Sequence, residues 1–439
     1  MSGLHADSTR FVRDTMLAEQ EPPLTERGAV KWARENLFSG PLNTFLTVVG
    51  VFALYLILKG LGPWLLHSVW FANSAAECRE TVAADFGPGA TGACWGVVRE
   101  RWAQYFYGFY PSEAYWRVNL AFVLLFVALA PILFAGVPRK VLWFTAFYPV
   151  TALFLLWGGS IWVPVVIMAG IAFGWVAFRL LGPFAGALIA AIAAGLVPVL
   201  WWLILAAPVA HLIEGWIPLG IEAIPSAKFG GFLLSFTIGV TGIAFSLPLG
   251  IVLALGRQSD MPLVKMLSVG FIEFIRGVPL ITLLFTASLL LNYFLPPGTN
   301  FDIILRVIIM VTLFSAAYIA EVIRGGLAAL PRGQYEAADA LGLDYWKAQQ
   351  LIIMPQALKI SIPGIVSSFI GLFKDTTLVI FVGLLDPLKG ITDAIRGSFE
   401  WKGVYWEPFI FPGLIFFLIC FGMSRYSMYL ENKLKRGQR

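Results

Sequence analysis

The chain has 439 residues and a formal net charge of +5; 59% of its residues are hydrophobic and only 13% are charged. A soluble domain carries about 25% charged residues, so this composition excludes an ordinary water-soluble protein and indicates a surface that faces lipid. The sequence contains no glycine-rich loop ending in Gly-Lys-Ser/Thr, and its three histidines lie far apart. It therefore indicates neither ATP hydrolysis by this chain nor a metal cluster.

Apolar runs of about twenty residues follow one another along the chain, and each can cross a bilayer as a helix. We therefore predict an all-α polytopic membrane protein with about ten membrane-spanning helices. The runs are 43–66, 118–137, 141–157, 161–180, 183–207, 230–256, 278–295, 303–323, 362–385 and 408–430. Eight or nine spans remain an alternative, because only residues 138–140 and 158–160 interrupt two of the runs.

Lysine and arginine are concentrated in alternate connections between these runs, a bias that marks the cytoplasmic side of a membrane protein. With ten spans, the tail 1–42, the turn at Arg139 and Lys140, the connection 324–360 and the C-terminal tail all fall on that side. We therefore expect both termini in the cytoplasm. The first forty residues are polar, so we expect no cleaved secretory signal. The connections 67–117, 208–229, 296–302 and 386–407 are expected outside.

A polar segment at 208–229, which contains several prolines and charges, divides the chain into two predicted units. The first is an N-terminal membrane extension over 43–229, whose outer loop is 67–117. The second is a core of five spans over 230–435, interrupted by a polar loop at 325–360.

Two cysteines, Cys78 and Cys94, share the outer loop 67–117 and are 16 residues apart. An oxidising compartment outside the inner membrane favours a disulfide between them, and two free thiols are the alternative. Cys420 lies in an apolar run, where we expect it to be a small buried hydrophobic residue.

The loop at 325–360 has the pattern of two short helices with a sharp joint. Residues 334–341 are mostly good helix formers, and Gly342 is suited to the left-handed conformation that ends a helix. Asp344 is a good N-cap for a second helix to about Ile353, and Pro355 is expected to stop it. Leu343, Tyr345 and Trp346 are predicted to be exposed near the joint, where they could dock into another protein. A plain connector between two spans is the alternative.

The loop also resembles a known signature. Glu336-Ala337-Ala338, followed by Gly342 and then by Ile352, Met354 and Pro355, is similar to the EAA motif of ABC importer permeases, with Met354 where leucine is more usual. The resemblance implies that the loop is a cytoplasmic coupling helix that fits a cleft of a separate ATPase subunit. The predicted coupling residues are Glu336, Ala337, Ala338, Gly342, Leu343, Tyr345, Trp346 and Pro355.

Three further strings resemble the polar amino acid permeases within that family: 274–280, where Val278 replaces a threonine, 317–326 and 372–378. The long extension 1–229 looks like that of permeases for general L-amino acids or for glutamate, glutamine, aspartate and asparagine. The implied function is import of such amino acids across the bacterial inner membrane.

A charged side chain within a span costs about 2.5–3.5 kcal/mol on insertion scales, so each needs an explanation. Lys374 is predicted to bind a substrate carboxylate, with Asp375, Thr376 and Thr377 beside it. A structural Lys–Asp arrangement is the alternative. Arg276 and Pro279 are further substrate candidates; Arg276 could instead pair with Glu273, three residues earlier, and Pro279 is expected to kink or start the next span. Glu321 and Arg324 repeat that spacing and are expected to anchor the coupling loop.

The resemblance implies several partners. These are a dimer of ATPase subunits that uses ATP and Mg²⁺, a periplasmic amino-acid-binding protein, and a second permease subunit that we expect to be a different chain. We expect this chain to be non-catalytic, to bind no cofactor, metal or nucleic acid, and to contact the substrate and the lipid bilayer. A secondary transporter or channel is the rival function, but the sequence has no obvious internal repeat. A membrane-bound enzyme is a third alternative, disfavoured by the scattered titratable residues.

Overall fold

The computed structural model describes residues 28–134, 136–290, 293 and 302–436. In this part of the chain nine helices are long and apolar enough to cross a membrane, and the bent pair Pro262–Gly277 and Leu280–Ser288 makes a tenth if it is one span. The prediction of an all-α polytopic membrane protein is confirmed.

The helices described are α1 (Gly28–Asn36), α2 (Pro41–Leu66), α3 (Ala75–Phe86), α4 (Gly96–Tyr107), α5 (Tyr115–Leu133), α6 (Leu142–Trp157), α7 (Trp162–Leu200), α8 (Ala206–Trp216), α9 (Gly231–Gln258), α10 (Pro262–Gly277), α11 (Leu280–Phe285), α12 (Ile303–Ala328), α13 (Arg332–Ala340), α14 (Tyr345–Ala348), α15 (Met354–Asp375), α16 (Gly390–Arg396) and α17 (Glu407–Arg436). Short 3₁₀ segments are Ser112–Ala114, Arg139–Val141, Ser226–Lys228 and Thr376–Val382, and π-helical turns are Trp201–Leu205, Thr286–Leu290 and Gln349–Ile353. Two antiparallel two-residue strands, β1 (Gly159–Ser160) and β2 (Gly220–Ile221), pair with each other.

The contacts divide the chain into two compact units. Of the described residues, one unit comprises those up to Val69 together with Arg79–Ala93, and the other comprises Trp70–Cys78 with those from Cys94 onward. The first unit contains α2, a 26-residue apolar helix without a buried residue. Residues on both sides of the predicted boundary at 229/230 lie in the second unit, where the extension helices α5 and α6 share a buried core with α9 and α12.

Close packing in the second unit depends on small residues. A β-carbon at Gly250 of α9 would lie 2.6 Å from the side chain of Ile319 in α12, and one at Gly364 of α15 would lie 2.6 Å from Val322 in α12. Without side chains at these positions the helix backbones approach each other, and this is the usual way that helices associate in lipid. Helix α12 thus runs between α9 and α15 at the centre of the core.

The predicted span 278–295 differs from the structure. Helix α10 comes first, and the chain then turns by 102° into the helical stretch Leu280–Ser288. Pro279 immediately precedes α11, as expected of a proline that starts a helix. The end of the predicted span, at 291–292 and 294–295, lies outside the described residues.

Candidate coupling and substrate sites

The polar loop folds into the two short helices that the sequence predicts. Helix α13 ends at Ala340, and Gly342 has a φ of 70° at the joint. Asp344 caps α14, because its carboxylate accepts a hydrogen bond of 2.9 Å from the backbone N–H of Lys347. That N–H bond, followed by the Lys347 ammonium at 3.1 Å, lowers the pKa of Asp344 from its ordinary value. Gly342 and Asp344 therefore set the angle between the two helices.

The base of this element is buried against the membrane helices. Ala338 and Ile353 are at most 1% exposed, and Ile353 packs in one cluster with Leu327 of α12 and Ala357 of α15. The side chains of Gln334 and Gln356 join across the joint by a hydrogen bond of 3.0 Å. The base of the element thus packs against both α12 and α15.

The opposite side of the element is exposed and presents several large apolar side chains among charged ones. Tyr345 is 52% exposed and Trp346 is 70% exposed, and their rings stand edge to face with centroids 5.3 Å apart. Leu343 is only partly exposed, whereas Leu341, which sequence reasoning missed, is 72% exposed. Glu336 and Ala337 are also exposed, while Ala338 faces inward. The surface formed by Leu341, Tyr345 and Trp346 is called the coupling face below.

The expectation that Pro355 stops the second helix is wrong. Met354 is helical, with φ −63° and ψ −41°, and α14 continues through the π-helical turn Gln349–Ile353 into α15. The Met354 N–H donates to the carbonyl of Gln349, five residues back. Proline is tolerated in the first turn of α15, because the wider turn before it already departs from the bonding pattern that its ring would break.

A cluster of ions lies on α9, α10 and α12 near the base of the coupling element. Glu321 of α12 is its centre: it pairs with Arg324, with Arg257 at 3.3 Å and with Arg276 at 3.6 Å. The alternative pairing of Arg276 with Glu273 does not form: Arg276 pairs with Glu321, and Glu273 pairs with Arg257 at 2.8 Å. Sequence spacing gave no indication of these contacts between helices. The predicted pair of Glu321 with Arg324 is present, and Arg324 Nε donates at 2.7 Å.

The group from Lys374 to Thr377 lies at the far end of α15. Lys374 is exposed and forms no ion pair with any described carboxylate, Asp375 included. Thr376 Oγ1 donates to the carbonyl of Phe373 at 2.7 Å, and Thr377 Oγ1 donates to that of Lys374 at 2.9 Å. The two hydroxyls therefore keep only acceptor capacity, and Lys374 is the group in this segment that can bind a carboxylate.

The substrate candidates thus occupy two places. Arg276 joins the ion cluster around Glu321. Lys374 lies ten residues after Gly364 on α15, and Gly364 packs against Val322, the residue that follows Glu321. Ten helical residues correspond to about 15 Å of rise. No described hydrogen bond or ion pair joins Arg276 or Pro279 to the segment 374–377. The described contacts therefore do not bring the two groups of candidates together.

A cavity of about 960 Å³ between α5, α6, α9 and α12 is unsuited to an ionic ligand. Its wall is largely apolar, and the hydroxyls of Thr145 and Tyr148 already donate to helix carbonyls at 2.7 and 2.9 Å. Asp302, which also lines it, caps α12 through the backbone N–H of Ile304 and Leu305. We therefore place the substrate candidates elsewhere.

Comparison with known proteins identifies the family. Residues 246–436 match the model for the inner membrane component of binding-protein-dependent transport systems. The chain is also 64% identical to a glutamate/glutamine/aspartate/asparagine transport system permease protein from Rhodobacter capsulatus, over 98% of this chain and 99% of the relative. The chain belongs to this permease family. It is a multi-pass protein of the inner membrane, and membership implies an ATPase and a substrate-binding protein as partners.

Two other proteins resemble this permease. An inner membrane amino-acid ABC transporter permease protein from Escherichia coli K12 is 39% identical over 93% of this chain and 94% of its own length. A solved structure of an amino acid ABC transporter with histidines matches 46% of this chain and 91% of its own, with 28% identity and a TM-score of 0.41. The Escherichia coli relative matches the extension as well as the core.

Proposed function

We propose that this permease imports glutamate, glutamine, aspartate and asparagine in an ATP-driven complex, and that the chain itself catalyses no reaction. The observation that supports the coupling role is the element 332–353, whose buried base joins α12 and α15 while Leu341, Tyr345 and Trp346 remain exposed. An exposed aliphatic and aromatic face on a short helix fits a groove in a partner protein. That partner is the ATPase subunit, which binds ATP and Mg²⁺.

The substrate assignment rests on the 64% identity to the Rhodobacter capsulatus permease, whose name specifies these four amino acids. All four carry an α-carboxylate, and the ammonium of Lys374 is a suitable partner for it. Arg276 then acts in the ion cluster around Glu321 rather than on the same substrate molecule. The chain needs no metal or organic cofactor of its own for this role.

The element 332–353 lies in the cytoplasm in this proposal, together with both termini. The opposite end of the core, which contains residues 383–406, then faces the periplasm and the amino-acid-binding protein. Five spans form half of a translocation path, so a second permease subunit completes it. The extension 1–229 distinguishes the two halves, and we expect a heterodimer.

Uptake in liposomes tests this function. The complex of the two permeases and the ATPase is reconstituted with ATP inside and the binding protein outside, and entry of labelled glutamate is measured with each of the other nineteen amino acids as competitor. Competition by glutamine, aspartate and asparagine, together with a strict need for ATP, is the expected result. Uptake that runs without ATP or without the ATPase subunit contradicts the proposal and favours a secondary transporter.

A further inference from the structure

The loop 383–406 lies at the end of the core opposite to the coupling element. It connects the helical stretch that begins with α15 and ends at Val382 to the span Glu407–Leu434, whereas the coupling element 332–353 connects α12 with α15. A helix that crosses once places its two connections on opposite faces of the membrane. Residues 383–406 and the coupling element are therefore separated by the bilayer.

This loop is joined to residues 70–78 and 94–101 of the extension by a set of contacts. Trp401 is fully buried, and its Nε1 donates to the carboxylate of Glu100 at 2.8 Å. The carbonyl of Glu400 accepts a hydrogen bond of 2.8 Å from Ala75, and the carboxylate of Glu400 pairs with Arg101 at 3.2 Å.

Two further constraints hold the extension side of this assembly. The disulfide Cys78–Cys94 closes the loop that follows Ala75, and the N–H of Cys94 donates to the buried carboxylate of Glu407 at 2.6 Å. Residues 70–78 and 94–101 of the extension are therefore crosslinked to each other and joined by polar contacts to the loop 383–406 and to Glu407.

Two phenylalanines project from this crosslinked base. Phe399 is 96% exposed although Ile395 and Trp401 on either side are at most 1% exposed. Phe71 is 80% exposed beside the buried Ala72, and the guanidinium of Arg99 lies 5.6 Å from the centre of its ring. An apolar ring held in water on a preorganised loop loses little conformational entropy when a partner covers it.

We propose that Phe71 and Phe399 form an anchor pair that docks the amino-acid-binding protein, so that the N-terminal extension supplies half of the docking surface. The proposal rests on the proposed function, because it assigns residues 383–406 to the periplasmic face. Large aromatic side chains surrounded by polar groups are typical of the few residues that dominate an interface. Here the polar surroundings are Arg99, Glu400 and Lys402.

The same polar surroundings disfavour insertion of Phe399 into the lipid headgroups. Phe399 is followed directly by Glu400, whose side chain is 53% exposed and already paired with Arg101. Moving the ring into the bilayer would bring this ion pair into a medium of lower polarity. A binding protein offers an apolar pocket with a polar rim and imposes no such cost.

The test measures docking directly, in nanodiscs that hold the full complex. ATPase activity is titrated with the binding protein loaded with glutamate. We expect Phe399→Ala to raise the half-saturating concentration about tenfold or more, the range for an interface anchor. Phe71→Ala is expected to give a smaller rise in the same direction, and basal ATP hydrolysis is expected to stay at the parent level. Phe109→Ala is the matched control, because Phe109 is 49% exposed and lies outside residues 70–78, 94–101 and 383–406.

A photoreactive phenylalanine analogue at position 399 provides a second measurement. A crosslink to the binding protein supports the proposal, and a crosslink to lipid alone overturns it. Unchanged titrations for both alanine variants in a complex that the binding protein does stimulate also overturn it while the proposed function stands. A parent complex that the binding protein never stimulates rejects the proposed function and this anchor together.

Discussion

The two ends of the permease core are built in different ways. At the coupling end, the element 332–353 touches the rest of the chain through its base, and its outer face is exposed. At the opposite end, the loop 383–406 is joined to the extension by the backbone hydrogen bond from Ala75 to Glu400, the hydrogen bond from Trp401 to Glu100 and the ion pair of Arg101 with Glu400. On the extension side, a disulfide links Cys78 to Cys94, whose N–H donates to Glu407 just beyond the loop. The first end has a single buried attachment, whereas the second is braced from several directions.

This difference matches what each end has to do in the proposed cycle. A coupling element has to follow the movement of an ATPase, so the element must move as one body with α12 and α15, against which its base packs. A docking platform has to present one fixed surface, so it gains from crosslinks that remove alternative conformations. The predictions below disturb the two ends separately.

The largest effect is expected from Gly342→Val at the coupling joint. A β-branched residue is strongly disfavoured at a φ of 70°, so α13 and α14 must change their relative angle and the coupling face is displaced. We expect ATP-driven uptake to be lost while the membrane helices still insert. Co-purification of the ATPase subunit and ATP hydrolysis stimulated by the binding protein are the measurements. Gly333→Val is the control, because a β-carbon there has nothing within 4 Å and no positive φ. If ATPase co-purification and stimulated ATP hydrolysis are equal in the parent and Gly342→Val proteins, the loop is a plain connector.

At the braced end, replacing both Cys78 and Cys94 by serine removes the crosslink. The closed loop spans 16 residues, for which the chain-entropy model gives about 3 kcal/mol of stabilisation. We expect a lower melting temperature in detergent and weaker stimulation by the binding protein, with the ATPase still bound. Cys420→Ser is the control. Thiol labelling of the unreduced parent is expected to modify neither Cys78 nor Cys94, and labelling of both would contradict the prediction.

Between the two ends, Lys374→Ala removes the ammonium that we assign to a substrate carboxylate. Loss of a hydrogen bond to a charged group typically costs 1.5–3 kcal/mol, so we expect the KM for uptake to rise about tenfold or more with assembly unchanged. Lys359→Ala removes the same charge elsewhere on α15 and is expected to leave the KM near that of the parent. A parent-like KM and rate for Lys374→Ala would assign this lysine a structural role.

The smallest effect is expected from Asp344→Ala, which removes the N-cap of α14 but keeps the backbone geometry possible. Loss of such a cap costs about 1 kcal/mol, so the coupling face should loosen and ATPase affinity should fall severalfold without loss of uptake. Asp344→Asn retains a capping oxygen and is expected to restore most of the affinity. Binding of the purified ATPase subunit to the three proteins checks this order, and equal affinities would contradict it.

Local patterns along the sequence predicted the local structure well. The spans follow from hydropathy, and the joint at Gly342 and the cap at Asp344 follow from the chemistry of single residues. The continuation through Pro355 could not be predicted, because the adjacent π-helical turn leaves no clear pattern in sequence.

Contacts between helices were the other limit. Glu273 has two possible partners, Arg276 three residues later and Arg257 on α9. Only the packing of α9 against α10 decides that Glu273 binds Arg257. The exposure of Leu341 likewise depends on how α13 turns relative to α12. The candidate substrate residues can be proposed from sequence, but their separation into two places required the helix register.

The absence of a break at Pro355 has a mechanical consequence. Residues Tyr345–Val382 form one helical stretch of 38 residues, which is more than 50 Å long at ordinary helical rise. Tyr345 and Trp346, at one tip, belong to the coupling face, and Lys374 lies near the other tip. The stretch can therefore act as a lever whose fulcrum is the glycine-mediated contact of Gly364 with Val322. In the proposed function, a small tilt imposed on the coupling face would displace Lys374 at the other end of the stretch.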